Sequence, residues 1–204
     1  MKMDINQAVR AVLNKGLIIY PTETLFALGG LGNSSGVVDR VRKIKGRPGY
    51  KPLPLVAGSV DQCLDAVQLD GQSLEIGRMF WPGPLSILAR ARDGIPTGVK
   101  DEQGLVSIRV TPHPDASRLC LMSGFPLIAT SANFSGSPAC SDINFLDKDL
   151  AALVDGVFFS SHRPAGGHPS TLIRVVGPDR IKVIRPGKIS IADLEKKGLK
   201  VDSS

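Results

Sequence analysis

A short apolar run leads into a pair of polar threonines in the stretch Leu17-Ile18-Ile19-Tyr20-Pro21-Thr22-Glu23-Thr24. This stretch fixes the first strand, from which the order of helices and strands can be followed in both directions. The apolar run predicts a buried strand over Leu17–Tyr20. Upstream, apolar residues between positions 5 and 13 recur at helical spacing, with Asp4 placed to cap the helix and Gly16 to end it. The chain therefore begins with a helix that leads directly into a strand.

Helices and strands continue to alternate along the rest of the chain. Further helices are predicted from Ser34 or Ser35 to Ile44, at Val60–Val67, Leu74–Phe80 and Asp115–Ser123, and around Leu146, Leu150 and Leu153. Further strands are predicted at Leu53–Ala57, Leu85–Ala91, Val106–Thr111, Leu127–Ala129 and Val157–Phe159, followed by a hairpin of Thr171–Val176 and Arg180–Ile184 around Gly177-Pro178-Asp179. This order predicts an α/β domain with a mixed sheet.

Composition places the chain among globular proteins. Its 204 residues are 42% apolar and 22% charged, which excludes the low-hydrophobicity, high-charge signature of disorder. The formal charge of +6 favours anionic partners such as phosphates or nucleic acid. The three cysteines lack any C-x-x-C pair, so we expect a reduced cytoplasm and no zinc cage. No secretory signal or membrane span is expected.

Three short segments end in polar side chains spaced two residues apart. In extended chain such side chains project to the same face, and ligands of open α/β sheets bind beyond the carboxyl ends of strands. The spacing therefore predicts one shared polar pocket. The pairs are Thr22 with Thr24, Lys45 with Arg47, and Ser131 with Asn133.

A cluster of six cations lies between positions 40 and 51. It has two interpretations: a solvated face at the end of a helix, or an anion site. The sequence Gly46-Arg47-Pro48-Gly49 favours the second, because an extended continuation would take Lys45 and Arg47 off the helix surface. A guanidinium beside an ammonium suits a polyphosphate, and we expect neither side chain in the core.

Two alternatives compete with this pocket. Polar residues such as Ser131 and Asn133 often satisfy backbone groups in local turns instead of binding a ligand. In addition, Gly32-Asn33-Ser34-Ser35-Gly36 matches the G-x-S-x-G elbow of serine hydrolases. The preceding glycine-rich segment is a poor strand, and Ser34 or Ser35 serves more readily as a helix cap.

Taken together, these motifs resemble the YrdC-like family, the threonylcarbamoyl-AMP synthases. The resemblance follows the motifs in order over nearly the whole chain: Tyr20-Pro21-Thr22-Glu23-Thr24, Lys45-Gly46-Arg47-Pro48, Trp81-Pro82-Gly83-Pro84, Ser107-Ile108-Arg109-Val110, Thr130-Ser131-Ala132-Asn133, Pro169-Ser170-Thr171 and Ile184-Arg185-Pro186-Gly187. It implies a twisted mixed sheet with helices packed around it and a basic concave cavity. The expected catalytic domain covers residues 1–190, with a short C-terminal helix or tail over 191–204.

The resemblance also implies a reaction and a set of site residues. Such enzymes condense L-threonine, bicarbonate and ATP, with Mg²⁺, to threonylcarbamoyl-AMP and pyrophosphate. Lys45 and Arg47 match the catalytic, phosphate-binding positions. Four residues match the threonine or bicarbonate positions, namely Thr22, Thr24, Arg109 and Ser170. The other nucleotide-binding positions correspond to Thr130, Ser131, Asn133 and Arg185.

Partners and alternatives follow from the same resemblance. The expected partners are tRNA or double-stranded RNA and the downstream proteins that transfer the threonylcarbamoyl group to tRNA. A non-catalytic RNA-binding module on the same fold is one alternative, although aromatic residues amount to only 5% of the chain. A serine hydrolase that uses Ser34 is the other.

Overall fold

The computed structural model describes residues 2–46 and 51–202. Its helices are α1 Ile5–Leu13, α2 Ser35–Lys45, α3 Val60–Ala66, α4 Gly71–Phe80, α5 Pro114–Met122, α6 Lys148–Ala152 and α7 Ile191–Glu195, with a 3₁₀ turn at Ile143–Phe145. Its strands are β1 Lys2–Met3, β2 Ile18–Pro21, β3 Phe26–Gly29, β4 Leu55–Ala57, β5 Val67–Gln68, β6 Leu85–Ala91, β7 Leu105–Val110, β8 Leu127–Ile128, β9 Thr130–Ser131, β10 Gly156–Phe158, β11 Thr171–Gly177, β12 Arg180–Arg185 and β13 Lys200–Val201.

The strands of the described chain form two mixed sheets. The smaller sheet has the order β1-β10-β2-β3-β9, and the larger has the order β13-β12-β11-β6-β7-β4-β8, with β5 paired to β6. Parallel and antiparallel pairs occur in both sheets. The predicted α/β class is confirmed, but the strands divide between two sheets where the sequence predicted one.

The two sheets meet at residues 127–131. Here β8 pairs with β4 of the larger sheet, whereas β9 pairs with β3 of the smaller sheet. The predicted strand Leu127–Ala129 is confirmed over Leu127–Ile128, whereas Ala129 lies between β8 and β9 and donates its N–H to the Pro54 carbonyl at 2.8 Å. Gly29 permits this crossing, because a Cβ there would lie 1.7 Å from the Ile128 carbonyl oxygen.

Two apolar clusters hold the layers together. One contains Ile19 and Leu28 from the smaller sheet together with Ile87 and Ile173 from the larger, so the sheets share a core. The other packs helices α1 and α5 against β2 and β4. Removal of these apolar faces from water is the main driving force that keeps the two sheets packed together.

Local signals in the sequence agree with the structure at several elements. Asp4 and Gln7 form the predicted capping box of α1, with hydrogen bonds of 2.8 and 2.9 Å. The predicted hairpin is confirmed as β11 and β12. The helix predicted around Leu146, Leu150 and Leu153 is wrong in extent, because α6 has only five residues and Leu146 precedes it.

Helix α2 begins at Ser35, as predicted, but without the expected side-chain cap. Ser34 occupies the N-cap position, but its side chain makes no capping hydrogen bond. We therefore expect Ser34→Ala to change the free energy of unfolding by less than about 0.5 kcal/mol. Ser59→Ala is the matched control, since Ser59 caps α3 by accepting from the Gln62 N–H at 3.1 Å, and it should cost about 1 kcal/mol. Urea unfolding checks both, and equal costs would contradict the geometry.

The segment after residue 190 packs onto the domain. Leu194 and Leu199 belong to the shared core, and β13 pairs in parallel with β12. The expected C-terminal helix or tail therefore contributes apolar surface to the fold. Across residues 2–46 and 51–202, no helix is long and apolar enough to cross a membrane.

Candidate active site

A cavity of about 250 Å³ lies where the two sheets meet. Side chains from both sheets line it, and the charged ones among the described lining residues are both arginines. The lining residues are Thr22, Thr24, Leu25, Phe26, Ala27, Pro54, Arg109, Ala129, Thr130, Ser131, Pro169, Ser170 and Arg185. The structure thus brings seven of the residues singled out from the sequence to one cavity, while their roles remain proposals.

Thr22 and Thr24 lie in the tight turn between β2 and β3. Their hydroxyl oxygens are 3.4 Å apart, so the two side chains lie together as predicted, although the backbone here is a turn and not the extended chain that was expected. The Thr22 hydroxyl also donates to the Leu25 carbonyl at 2.7 Å. Both side chains are buried, so the turn presents a rigid hydroxyl pair to the cavity.

Arg109 enters the cavity from β7 and is held by Glu23. Its Nε donates to Glu23 Oε1 at 2.8 Å, and the Thr111 hydroxyl donates to Glu23 Oε2 at 2.7 Å. Burial would raise the pKa of the Glu23 carboxyl, but the charge of Arg109 and these hydrogen bonds outweigh it and lower the pKa. Glu23 is therefore ionised at neutral pH.

Ser170 and Arg185 form the wall built by β11 and β12. The Ser170 hydroxyl lies 2.9 Å from the hydroxyl of Ser86, and Arg185 Nη2 donates to the Ser170 carbonyl at 2.9 Å. Arg185 is exposed at the cavity mouth, whereas Ser170 is buried. This wall supplies an exposed positive charge beside a buried hydroxyl.

Lys45 lies behind the cavity and holds the S-x-N loop, residues 131–133. Its Nζ donates to the carbonyls of Ser131 and Asn133 at 2.8 and 2.5 Å, and to Asn133 Oδ1 at 2.9 Å. The Ser131 hydroxyl donates to the same Oδ1 at 2.6 Å. An ammonium with three acceptors fixes this loop, so that Ser131 and Thr130 face the cavity.

Two expectations about Lys45 are wrong. It is not in extended chain but is the last residue of α2, which ends at Gly46 in the left-handed conformation with φ of 53°. It is also not outside the core, because only 5% of its surface is exposed. Arg47, Pro48 and Gly49 lie outside the described residues. Elsewhere in the cation cluster, Arg40 pairs with Asp155 at 2.8 Å on the surface.

Sequence reasoning assigned no role to Glu23, although the residue stood in a quoted motif. An acidic residue between two threonines gives no local sign of its partner, which lies 86 positions away. The sequence could have indicated only that Glu23 needs a cationic partner, because a carboxylate next to a buried strand is costly to bury unpaired.

The described residues do not favour a protein-bound metal site, a cysteine nucleophile or a serine hydrolase. No group of three or more His, Cys, Asp or Glu side chains could hold a metal ion there. Burial raises the pKa of the three cysteine thiols, so none is a thiolate at neutral pH. Among the described residues, no hydrogen bond joins the Ser34 hydroxyl to a histidine: His113 Nε2 bonds to the His162 backbone carbonyl, and His162 Nδ1 bonds to Asp115.

Comparison with known proteins gives a consistent result. The family model for Sua5/YciO/YrdC, described as telomere recombination, matches residues 10–187. The threonylcarbamoyl-AMP synthase of Xanthomonas axonopodis pv. citri is 37% identical over 160 residues, which cover 76% of this chain and 84% of the relative. The synthase of Vibrio cholerae serotype O1 is 35% identical over 169 residues, covering 79% and 90%.

Solved structures show the same fold. Sua5 from P. abyssi in complex with L-threonine aligns with a TM-score of 0.89 at 24% identity, covering 99% of this chain and 62% of that one. The chain thus spans less than two thirds of the P. abyssi protein. E. coli YciO aligns with a TM-score of 0.78 at 23% identity, covering 92% of this chain and 94% of that one. The family model that matches residues 10–187 and the relatives at 35–37% identity place this chain in the Sua5/YciO/YrdC family.

Proposed function

We propose that this protein is a threonylcarbamoyl-AMP synthase, which condenses L-threonine, bicarbonate and ATP to threonylcarbamoyl-AMP and pyrophosphate. The observation that carries the proposal is the single cavity in which two arginines and several buried hydroxyls converge from distant segments. Relatives that carry the name threonylcarbamoyl-AMP synthase align over three quarters of the chain, which supports this choice.

The reaction asks for alignment and charge neutralisation. The threonine amine and bicarbonate give a carbamate with loss of water, a carbamate oxygen attacks the α-phosphorus of ATP, and pyrophosphate leaves. This sequence needs no covalent protein nucleophile, which agrees with a cavity of arginines and hydroxyls. Orientation of the two reactants and neutralisation of the phosphates supply the rate enhancement.

We assign residue roles from the motifs of the family together with the lining of the cavity. We assign Arg109 to the carboxylate or carbamate of the threonine substrate, with the hydroxyls of Thr22, Thr24 and Ser170 beside it. We assign the nucleotide to Thr130, Ser131 and Arg185 of the cavity lining, with Asn133 bonded behind Ser131 in the S-x-N loop. By the family motif, Lys45 and Arg47 supply positive charge for the phosphates. Lys45 acts there through the S-x-N loop, to which its three donors are bonded.

Mg²⁺ enters this proposal only as a companion of ATP. The described residues do not fit a resident metal site, because no cluster of candidate ligands is present among them and Glu23 is already paired with Arg109 and Thr111. Mg²⁺ is often held mainly by substrate phosphates and water. We therefore treat Mg·ATP as the substrate. We place the reaction in the cytoplasm. Its product would pass to proteins that transfer the threonylcarbamoyl group to tRNA.

The test is pyrophosphate release by the pure protein. With L-threonine, bicarbonate and Mg·ATP present, we expect pyrophosphate and an AMP-linked product in equal amounts. Omission of threonine, or of bicarbonate in carbon-dioxide-free buffer, should abolish both, because the carbamate is the nucleophile. Equal ATP turnover in their absence would remove the assigned reaction.

A further inference from the structure

We propose that Glu23 is a positioning residue, which orients the Arg109 guanidinium so that its terminal edge receives the carboxylate or carbamate of the substrate. The inference rests on the proposed function, since that function supplies the anionic ligand. It assigns a role in the reaction to a carboxylate that does not itself line the cavity.

The hydrogen bonds define how Arg109 is held. Arg109 Nε donates to Glu23 Oε1 at 2.8 Å, and the Thr111 hydroxyl donates to Glu23 Oε2 at 2.7 Å. In the described part of the chain, the two Nη groups of Arg109 make no hydrogen bond, and Arg109 lines the cavity. A guanidinium fixed at Nε presents its two Nη groups as a planar fork, which matches a carboxylate in a bidentate manner.

The Glu23 carboxylate is itself fixed. The side chains of Arg109 and Glu23 are only 6% and 12% exposed, so solvent screens their attraction weakly. The backbone carbonyl of Glu23 accepts from the Ala165 N–H at 3.1 Å, and that of Thr24 accepts from the Gly166 N–H at 2.9 Å. The backbone of the turn is thus tied to the loop before β11, while Arg109 and Thr111 hold the carboxylate.

Charge alone and positioning predict opposite results for this carboxylate. If Glu23 acted only through its charge, its removal would make the cavity more positive and strengthen the binding of every anion. If Glu23 orients Arg109, its removal frees the guanidinium to turn and weakens the binding of a carboxylate that needs the fork. L-Threonine carries both a carboxylate and an ammonium, so the coupling to Arg109 separates the two: a pure charge effect of Glu23 persists in an Arg109→Lys chain, whereas a positioning effect does not.

The experiment titrates L-threonine, without ATP, into the pure protein in a calorimeter. Glu23→Gln keeps the size of the side chain and should weaken threonine binding roughly tenfold or more, because small misplacements of an aligned group are costly. Asp155→Asn is the matched control, since Asp155 also accepts from an arginine and from a backbone N–H. The control should bind threonine like the wild type.

A second variant and a coupled pair guard against a folding defect. Thr111→Val leaves the ion pair but removes the second hydrogen bond to Glu23, along with the acceptor of the His113 N–H, so it should weaken threonine binding in the same direction by a smaller factor. In an Arg109→Lys chain, Glu23→Gln should cause no further loss of affinity, because both changes act through one group. If Glu23→Gln does not fold, the Thr111→Val result decides the question.

Each outcome bears on the inference. Unchanged or tighter threonine binding in Glu23→Gln, fully additive losses in the double variant, or a wild type that binds no L-threonine would overturn it. The proposed function is judged separately by pyrophosphate release. If the wild type releases pyrophosphate but Glu23→Gln binds threonine as tightly as the wild type, only the positioning role is wrong. If Glu23→Gln binds threonine more weakly but the wild type releases no pyrophosphate, only the proposed synthase activity is wrong.

Discussion

Lys45→Ala is expected to lower kcat/KM for ATP by about 10²-fold or more, the size of loss that follows removal of one preorganised charged group. The same change should lower the free energy of unfolding by about 3 kcal/mol, because three buried acceptors lose a charged donor. Activity falls because the S-x-N loop is no longer fixed against α2. Pyrophosphate release at varied ATP and urea unfolding measure the two effects.

Lys43→Ala is the matched control for this variant. Lys43 lies on the same helix two residues earlier, and its side chain is exposed. The control should retain activity and change stability by less than about 0.5 kcal/mol. If Lys45→Ala matched Lys43→Ala in pyrophosphate release and in urea unfolding, the contacts of Lys45 with the S-x-N loop would contribute neither to activity nor to stability.

Arg109 should be the other residue whose loss has a large effect. Arg109→Lys keeps the charge beside Glu23 but removes the fork, so kcat/KM for threonine should fall by about 10²-fold while stability falls modestly. Arg109→Met leaves the buried Glu23 carboxylate without its cation and should cost about 3–5 kcal/mol of unfolding free energy. The contrast separates recognition of substrate from support of the fold.

Arg90→Lys provides the comparison for Arg109. Arg90 lies on the neighbouring strand β6, but it is exposed and does not line the cavity. Its exchange should leave threonine kinetics unchanged. Normal turnover of Arg109→Lys at low threonine concentration would show that the guanidinium fork is not used, and the assignment of Arg109 to the substrate would then fail.

Local chemistry explains what the sequence alone determined. The capping box of Asp4 and Gln7 and the hairpin of β11 and β12 each depend on residues within a few positions of one another. Thr22 and Thr24 come together for an equally local reason, because the Thr22 hydroxyl bonds within the turn to the Leu25 carbonyl and lies 3.4 Å from the Thr24 hydroxyl. The α/β class followed from the order of these local elements.

The same reasoning placed the site only in part. The polar pairs predicted one pocket, and the structure brings Thr22, Thr24 and Ser131 to one cavity. Lys45 was expected to aim into it from extended chain, but the helix continues through Lys45 and turns the ammonium to the back of the S-x-N loop. Helix propensity and the αL cap at Gly46 decide that direction.

Tertiary structure alone decided how the two sheets join. Residues 127–131 leave the larger sheet and enter the smaller one, a step that depends on the partners β4 and β3 and not on the residues themselves. The ion pair of Arg109 and Glu23 spans this junction. The two charges are buried as a pair because burial of either one without an opposite charge would carry a large desolvation penalty. No pattern within either segment names the partner, since pairing is a property of the packed chain.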